Sequence, residues 1–185
     1  MKQALPLIKA LSLIATCVFC SGFSIFESGD VGNNSVPQPL KPVEINRYLG
    51  RWYELGSYAA SFQEGCAATY ADYRLDGQGG LRVVNSCRKG GIDGQEEVAE
   101  GRAEIVPGSN NAKLKVSFFG PFWGDYWVLD HALDYSWSIV GEPSGRYLWL
   151  LSRTAHPSKA TLKQIESRAK EMGYDLTLLN WTPQP

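Results

Sequence analysis

The chain has 185 residues, 44% of them hydrophobic, which is enough for one domain with a sizeable core and excludes wholesale disorder. Eighteen Lys and Arg residues nearly balance 19 Asp and Glu residues, which argues against a basic nucleic-acid-binding surface. No cysteine–histidine spacing is typical of a zinc site. We therefore expect neither a metal site nor a nucleic-acid partner, and the 19 glycines and 10 prolines favour a β-rich domain with many turns.

The first 22 residues have the pattern of a secretory signal peptide. Lys2 precedes the almost entirely apolar run 4–19, and small residues follow that run. The run is too short and too interrupted for a typical transmembrane helix. We therefore predict that residues 1–22 direct export. Residues 23–42, rich in Gly, Asn, Ser and Pro, are predicted to form a flexible linker to a domain over 43–185.

One cysteine within the signal suggests a second use of this segment. Cys17 follows Leu13, Ile14, Ala15 and Thr16, an order that resembles a bacterial lipoprotein cleavage site. Thr16 stands where Gly or Ala is usual, so the match is imperfect. Two interpretations stay open: acylation of Cys17, or removal of Cys17 with the rest of the signal peptide.

The body of the chain is patterned as antiparallel strands. Short runs of alternating apolar residues are separated by Gly-, Pro- and Asn-rich turns, and the short connections favour antiparallel neighbours. The predicted strands are 52–58, 67–75, 81–87, 96–106, 113–118, 125–129, 136–140 and 146–153. Apolar residues at helical spacing then predict a helix over 157–172, and Leu178 and Leu179 suggest a short ninth strand. An eight-stranded up-and-down β-barrel with one C-terminal helix packed outside accounts for this order.

Three short motifs resemble those of the lipocalin family. Gly50-Arg51-Trp52 opens the first strand, Asp134-Tyr135 lies between the sixth and seventh strands, and Arg153 ends the eighth. The runs 47–54, 114–122 and 147–153 are similar to the bacterial, Blc-type outer-membrane lipocalins, which are kin to apolipoprotein D. The resemblance covers residues 43 to about 181. It implies that Trp52 and Arg153 meet at the closed end of the barrel, where an indole can stack on a guanidinium. The motif residues Gly50, Trp52, Asp134, Tyr135 and Arg153 are therefore expected to be structural.

Strand alternation places the residues of the barrel interior once Trp52 and Arg153 point inward. Loops 60–65, 88–95, 119–124 and 142–145 are then expected at the open mouth, and turns 76–80, 107–111 and 130–135 at the closed end. The lining suits an elongated apolar molecule with one polar head. A barrel packed solid, without a ligand, is the alternative. The predicted ligand-binding residues are Glu54, Tyr58, Ala71, Val83, Asn85, Ala103, Leu114, Val116, Phe118, Tyr126, Val128, Tyr147 and Trp149.

Two features near the predicted mouth have more than one interpretation. Glu54 is either a hydrogen-bonded structural acid or a polar anchor for a ligand. Cys66 and Cys87 are expected to form a disulfide in an exported protein. However, simple register from the 76–80 turn places Thr69, not Cys66, opposite Cys87. A bridge therefore requires a bulge or a bend.

The mouth also carries a cluster of aromatic residues. Phe119, Phe122 and Trp123 fall in one predicted mouth loop, where they either cap the rim or contact a membrane or a second subunit. A monomer and a homodimer are both compatible with this pattern. The contact would be the place where a lipid is transferred.

The resemblance implies a binding protein. We expect it to bind, store or transport small lipophilic ligands, such as fatty acids or lysophospholipids, in the periplasm or at the outer membrane, without a cofactor and without catalysis. The alternative is a lipocalin-type enzyme with isomerase or epoxide chemistry, which could use a thiol in the barrel as nucleophile. Haem carriage is less favoured because neither His131 nor His156 is expected inside the barrel.

Overall fold

The computed structural model describes residues 30–185, so the predicted signal peptide and Cys17 lie outside the described part. Within it, two α-helices and nine strands follow one another along the chain, together with two short 3-10 helices, Ser61–Gln63 and Leu176–Leu178. The elements are α1 (Ile45–Tyr48), β1 (Gly50–Tyr58), β2 (Cys66–Leu75), β3 (Leu81–Lys89), β4 (Gln95–Ile105), β5 (Lys113–Ser117), β6 (Gly124–His131), β7 (Trp137–Gly141), β8 (Leu148–Ser152), α2 (Lys159–Glu171) and β9 (Leu179–Trp181). None of the described helices is long and apolar enough to cross a membrane.

The sheet closes into an antiparallel barrel. Its strand order is β2-β3-β4-β5-β6-β7-β8-β1-β9, and β1 also pairs with β2 from Gly50↔Tyr73 to Tyr53↔Tyr70. The predicted eight-stranded barrel with an outer helix is confirmed, and β9 lies outside the eight as an addition to the edge of β1. The short helix α1 was not predicted, because four residues are too few to display a helical period.

Two apolar clusters occupy the two faces of the sheet. The inner cluster lies inside the barrel and includes Trp52, Leu81 and Leu114, all buried. The outer cluster lies between the sheet and α2 and includes Leu129, Ile165 and Ala169, which are fully buried. Successive residues of a β-strand point to opposite faces of the sheet, so the same strands contribute side chains to both clusters.

Helix α2 is held against the outside of the barrel by its apolar stripe and a capped start. The side chain of Ser158 accepts a hydrogen bond from the backbone N–H of Thr161, which satisfies one of the otherwise unpaired amides of the first turn. Ile165 and Ala169, four residues apart, face the sheet. Gly173 ends the helix at a φ of 92°, a conformation that glycine adopts without strain.

The closed end is built around Trp52 and Arg153, and the predicted contact between them is confirmed. The Cζ atom of Arg153 lies 3.7 Å from the centroid of the Trp52 ring. The guanidinium also donates to the carbonyl oxygens of Arg51 and Arg47, at 2.7 and 2.6 Å. The Trp52 indole N–H donates to the carbonyl of Tyr48 at 2.8 Å. One arginine therefore joins α1, β1 and the end of β8.

The remaining motif residues shape the turns around this contact. Gly50 adopts a φ of 89° at the start of β1, which a side chain would disfavour. Asp134 accepts a hydrogen bond from the backbone N–H of Ser136 in the β6–β7 turn. The Tyr135 hydroxyl accepts one from the backbone N–H of Glu44, at 2.8 Å. The structure thus brings the three sequence motifs together at one end of the barrel.

Residues 30–42, which belong to the predicted linker 23–42, form a strap along the outside of the barrel. Near the mouth, the backbone N–H groups of Gly32 and Asn33 donate to the carbonyl of Gly145 at 2.9 and 3.2 Å. Toward the closed end, the N–H of Leu40 donates to the carbonyl of Leu129 at 2.9 Å. Asn33 is buried, although most side chains of the strap are exposed as expected. The polar composition hid these contacts because the backbone makes most of them.

A buried carboxylate fastens the strap and α2 to β6. Asp130 accepts from Lys41 Nζ at 2.7 Å, from Arg168 Nε at 2.9 Å and from the backbone N–H of His131 at 2.9 Å. Burial by itself would raise the pKa of this carboxyl group. The hydrogen bonds from Lys41 and Arg168 outweigh burial, and they hold the pKa of Asp130 below its ordinary value.

Candidate functional site

The inner face of the barrel contains most of the residues that alternation assigned to it. Nine predicted ligand-binding residues belong to the inner cluster or pack against it. They are Ala71, Val83, Ala103, Leu114, Val116, Phe118, Tyr126, Val128 and Trp149. The apolar character of the predicted lining is therefore present in the structure.

The interior is packed at its floor and open toward its mouth. Leu81 and Ala103, which face each other near the closed end, are almost completely buried. Four residues along β3 from Leu81, toward the mouth, Asn85 is paired with Ala99 of β4 and with Ala71 of β2. Opposite residues in antiparallel strands share a face, so all three face the interior. Asn85 is only half-buried and Ala99 is exposed. Solvent therefore reaches the inner face in the upper half, which we call the cup.

A glycine makes room for one wall of the cup. A Cβ atom added to Gly101 would lie 2.7 Å from Cδ1 of Phe118, a separation that real side chains do not tolerate. The absence of a side chain therefore lets the Phe118 ring lie against β4. Phe118 is half-buried there and presents an apolar surface.

Aromatic rings line the barrel from its floor to its rim. Neighbouring ring centroids are 5.7 to 6.5 Å apart, within the range in which aromatic pairs attract one another. Tyr147, predicted for the ligand site, stacks on Trp149 near the mouth. The order from the floor upward is Tyr48, Tyr73, Tyr126, Trp149, Tyr147 and Phe62.

The tyrosine hydroxyls at the floor satisfy one another. Tyr73 donates to Tyr126 at 2.9 Å, and the Tyr126 and Tyr48 hydroxyls are 3.1 Å apart. Tyr48 also contacts the hydroxyl of Ser138, which donates to the carbonyl of Asp130. Burial raises the pKa of all three tyrosines, so the phenols are neutral. Each hydroxyl has one hydrogen to donate, and in this series of hydrogen bonds its partner is another hydroxyl or the Asp130 carbonyl. The floor therefore suits the apolar part of a ligand.

Tyr58 does not face the cup, and its prediction as a ligand-binding residue is wrong. The pairing of β1 with β8 shifts between Glu54 and Gly56, so one extra residue reverses the alternation beyond that point. Tyr58 therefore joins the outer cluster, where its hydroxyl donates to the carbonyl of Asp175 at 2.9 Å. Burial there raises the pKa of Tyr58 to about 12.

Glu54 is buried at the middle of β1 and serves as an acceptor for three side chains. Its carboxylate accepts from Ser57 at 3.0 Å, from Gln63 at 2.8 Å and from Thr182 at 2.5 Å. These partners come from β1, the β1–β2 loop and the C-terminal segment. The arrangement favours the structural interpretation of Glu54 over that of a ligand anchor.

Gln63 is a residue of the mouth that sequence reasoning missed. It lies in a short 3-10 helix, Ser61–Gln63, in the β1–β2 loop. Its amide group donates to Glu54 and accepts from the indole N–H of Trp149 at 2.9 Å, so one side chain joins the loop to the cup wall. A loop glutamine carries no periodic signal, and only the folded loop reveals its position.

A disulfide joins β2 and β3 beside this loop, and the predicted bridge is confirmed. The register shifts by one residue between Ala67 and Tyr70, so that Cys66 pairs with Lys89. This shift puts Cys66 and Cys87 on the same face, with their Cα atoms 5.5 Å apart. The bulge required by simple register is therefore present. The bridge also removes the thiol that the enzymatic alternative would use.

The rim aromatics differ in how exposed they are. Phe119 is 78% exposed and Phe122 is 57% exposed, in the loop that joins β5 to β6. Trp123 is only half-buried, and the guanidinium of Arg102 lies 4.9 Å from its ring centroid. The two phenylalanines thus present the larger apolar surface to solvent.

The closed barrel, its tryptophan–arginine contact at one end and its apolar cup at the other define a lipocalin. The chain belongs to the lipocalin-like family: the family model described as a lipocalin-like domain matches residues 43–184. The outer membrane lipoprotein Blc of Vibrio cholerae is 38% identical over 164 residues, covering 87% of this chain and 94% of that protein. Temperature-induced lipocalin-1 of Arabidopsis thaliana is 40% identical over 153 residues, covering 78% and 81%.

Solved structures agree with this assignment at the level of the fold. Insecticyanin from the tobacco hornworm Manduca sexta superposes with a TM-score of 0.66, covering 87% of this chain and 89% of that one. The sequence identity is 20%, so the likeness concerns the architecture alone.

Proposed function

We propose that the protein binds small lipophilic ligands, with the apolar part of the ligand in the cup. The observation that carries this proposal is the inward-facing yet exposed position of Ala99, opposite Asn85 and above a packed apolar floor. Burying an acyl chain there gains about 0.8 kcal/mol per methylene before the cost of association. The hydroxyls of the floor donate to one another, so the polar head belongs near the mouth.

Two neighbouring substitutions test this proposal. Ala99→Trp would place an indole in the cup, whereas Val98→Trp would place the same indole on the outer surface, because adjacent strand residues face opposite sides. We expect Ala99→Trp to weaken binding of a fluorescent fatty acid by at least about tenfold. Val98→Trp should leave the affinity unchanged. Equal affinities for the two variants would place the binding site elsewhere.

Binding is favoured over catalysis as the function. Both described cysteines are in the disulfide, so they supply no thiolate nucleophile. Thiol titration of the unreduced, denatured exported protein checks this point. Substantial thiol reactivity from Cys66 or Cys87 would restore the enzymatic alternative.

We further propose that the protein is exported and attached to the envelope through acylated Cys17. The similarity to a protein named as an outer membrane lipoprotein supports this location. The mass of the protein purified from the envelope tests it, because acylation adds the mass of lipid and the chain then begins at Cys17. An unmodified chain that begins after Cys17 would contradict the proposal.

The mouth rim is the proposed surface of ligand exchange. Phe119 and Phe122 lie beside the cup opening, where a membrane or a second copy of the chain could deliver a lipid. Native mass spectrometry distinguishes a monomer from a homodimer. A dimer that persists after both phenylalanines are replaced by Ser would exclude them from the subunit contact.

A further inference from the structure

Three of the four mouth loops carry large exposed apolar side chains. Phe62 in the β1–β2 loop is 62% exposed, Ile92 in the β3–β4 loop is 41% exposed, and the β5–β6 loop carries Phe119 and Phe122. These four residues, here called the apolar rim, surround the opening of the cup. Apolar groups around one opening suit a partner that is itself apolar and extended.

The fourth mouth loop receives the strap. Its carbonyl at Gly145 accepts from both Gly32 and Asn33, and the strap then runs to the closed end, where Val43 donates to the carbonyl of Asn110. The described chain therefore begins at the mouth, although β1 begins at the closed end. Asp30, the first described residue, lies two residues before Gly32 and therefore at the same end of the barrel as the apolar rim.

The length of the preceding chain limits where an anchor at Cys17 can lie. Thirteen residue steps separate Cys17 from Asp30 and span at most about 45 Å when fully extended. With the mouth toward the membrane, this tether leaves the rim next to the bilayer. With the mouth turned away, the tether would have to cover the length of the barrel before it reached the bilayer. A nine-residue strand such as β1 is about 30 Å long, so that path would use most of the available span.

We infer that the protein docks on a phospholipid bilayer through the apolar rim, with the mouth of the cup facing the membrane. The inference rests on the proposed lipid-binding function, since a cup that opens toward the bilayer can exchange lipid without exposing the acyl chain to water. A second copy is a poorer occupant of this surface. Mouth-to-mouth packing of two barrels would bring the beginning of the strap, which is bonded to Gly145, from both copies to the same interface.

Hydrogen exchange of the full exported protein measures the orientation. The protein is compared in buffer and on vesicles of phosphatidylethanolamine and phosphatidylglycerol. We expect vesicles to protect the backbone amides of loops 60–65 and 118–124, and to leave those of turns 76–80 and 130–135 unchanged. Protection at the closed-end turns, or no protection at either end, would overturn the inference. So would mouth protection that appears without vesicles as a dimer forms.

A pair of matched double variants measures the contribution of the rim. Phe119→Ser with Phe122→Ser removes two rim side chains, whereas Leu75→Ser with Leu133→Ser removes two exposed leucines at the closed end. We expect the rim variant to transfer a fluorescent fatty acid between vesicles at least about threefold more slowly, and the closed-end variant to match the native protein. Equal rates for both variants would overturn the inference.

Affinity for the same fatty acid in buffer keeps the two proposals apart. Native affinity in both double variants, together with slow transfer by the rim variant, supports docking. Absence of binding by the native protein would refute the proposed function, while the exchange pattern on vesicles would still decide the orientation.

Discussion

Gln63 holds the β1–β2 loop against the mouth, and we expect its replacement by Ala to loosen that loop. The side chain donates to the buried Glu54 carboxylate at 2.8 Å and accepts from the Trp149 indole at 2.9 Å. A hydrogen bond to a charged group contributes about 1.5–3 kcal/mol, and a neutral one about 0.5–1.5 kcal/mol. Both are partly exposed to solvent, so we take the lower parts of these ranges, about 2–3 kcal/mol together.

This energy translates into a large change in the population of open loop. A loss of about 2–3 kcal/mol raises the ratio of open to closed loop by roughly 30- to 150-fold. The tilted contact between the Phe62 and Tyr147 rings, with centroids 6.0 Å apart, does not depend on Gln63 and limits the movement of the loop. If the loop gates the cup, ligand association and dissociation both become faster, so the dissociation constant changes less than either rate.

Two measurements follow the effect of Gln63→Ala. Hydrogen exchange of residues 59–65 reports the opening of the loop, and stopped-flow mixing with a fluorescent fatty acid reports the association rate. Gln78→Ala, the same substitution in an exposed closed-end turn, is the control. Exchange and association rates that match the control would refute the assignment of Gln63 as the residue that holds the loop.

Three further substitutions test other contacts. Asp130→Asn should lower the free energy of unfolding by about 2–3 kcal/mol in urea titrations, less than for a fully buried ion pair because both cationic partners are one-third exposed. Because folding lowers the pKa of Asp130, the carboxylate stabilises the fold fully above the ordinary pKa of 3.8, and this stabilisation falls as the pH drops below that value. If the variant lost stability in acid as steeply as the native protein, the assignment would be contradicted. Replacing Cys66 and Cys87 by Ala should lower the free energy of unfolding by about 3 kcal/mol, since the bridge closes a 21-residue separation. A melting temperature of the native protein that does not change on addition of reductant would argue against this. Arg153→Lys should lower the free energy of unfolding by about 2 kcal/mol, roughly one hydrogen bond from a charged donor, because lysine lacks the planar fork that reaches two carbonyls. An unchanged melting temperature would refute this.

The spacing of apolar residues was enough to predict the strands and the helix of the barrel, because the period of each element can be recognised from residues close together in sequence. The alternation in 113–118 identified β5 and its inward residues, and the spacing of Ile165 and Ala169 identified α2. The three family motifs then fixed which end is closed. That end was predictable from the resemblance alone, which implies that the tryptophan and the arginine of the motifs meet there, as Trp52 and Arg153 do.

The tertiary structure alone decided the features that break the period. The register shift after Glu54 turns Tyr58 outward, because the ring is buried against Tyr174 and beneath the strap. The shift between Ala67 and Tyr70 brings Cys66 within reach of Cys87.

Contacts between distant segments were equally hidden from the sequence. The strap is fixed by backbone hydrogen bonds and by one buried carboxylate, and Gln63 by partners on two different strands. A bulge adds one residue wherever the packing of both sheet faces makes the shifted register more stable. A polar segment becomes ordered when distant carbonyls lie within reach of its amides. Both conditions depend on the whole folded molecule, so the sequence determined the barrel, and packing determined the shape of its mouth and the path of the chain that leads to it.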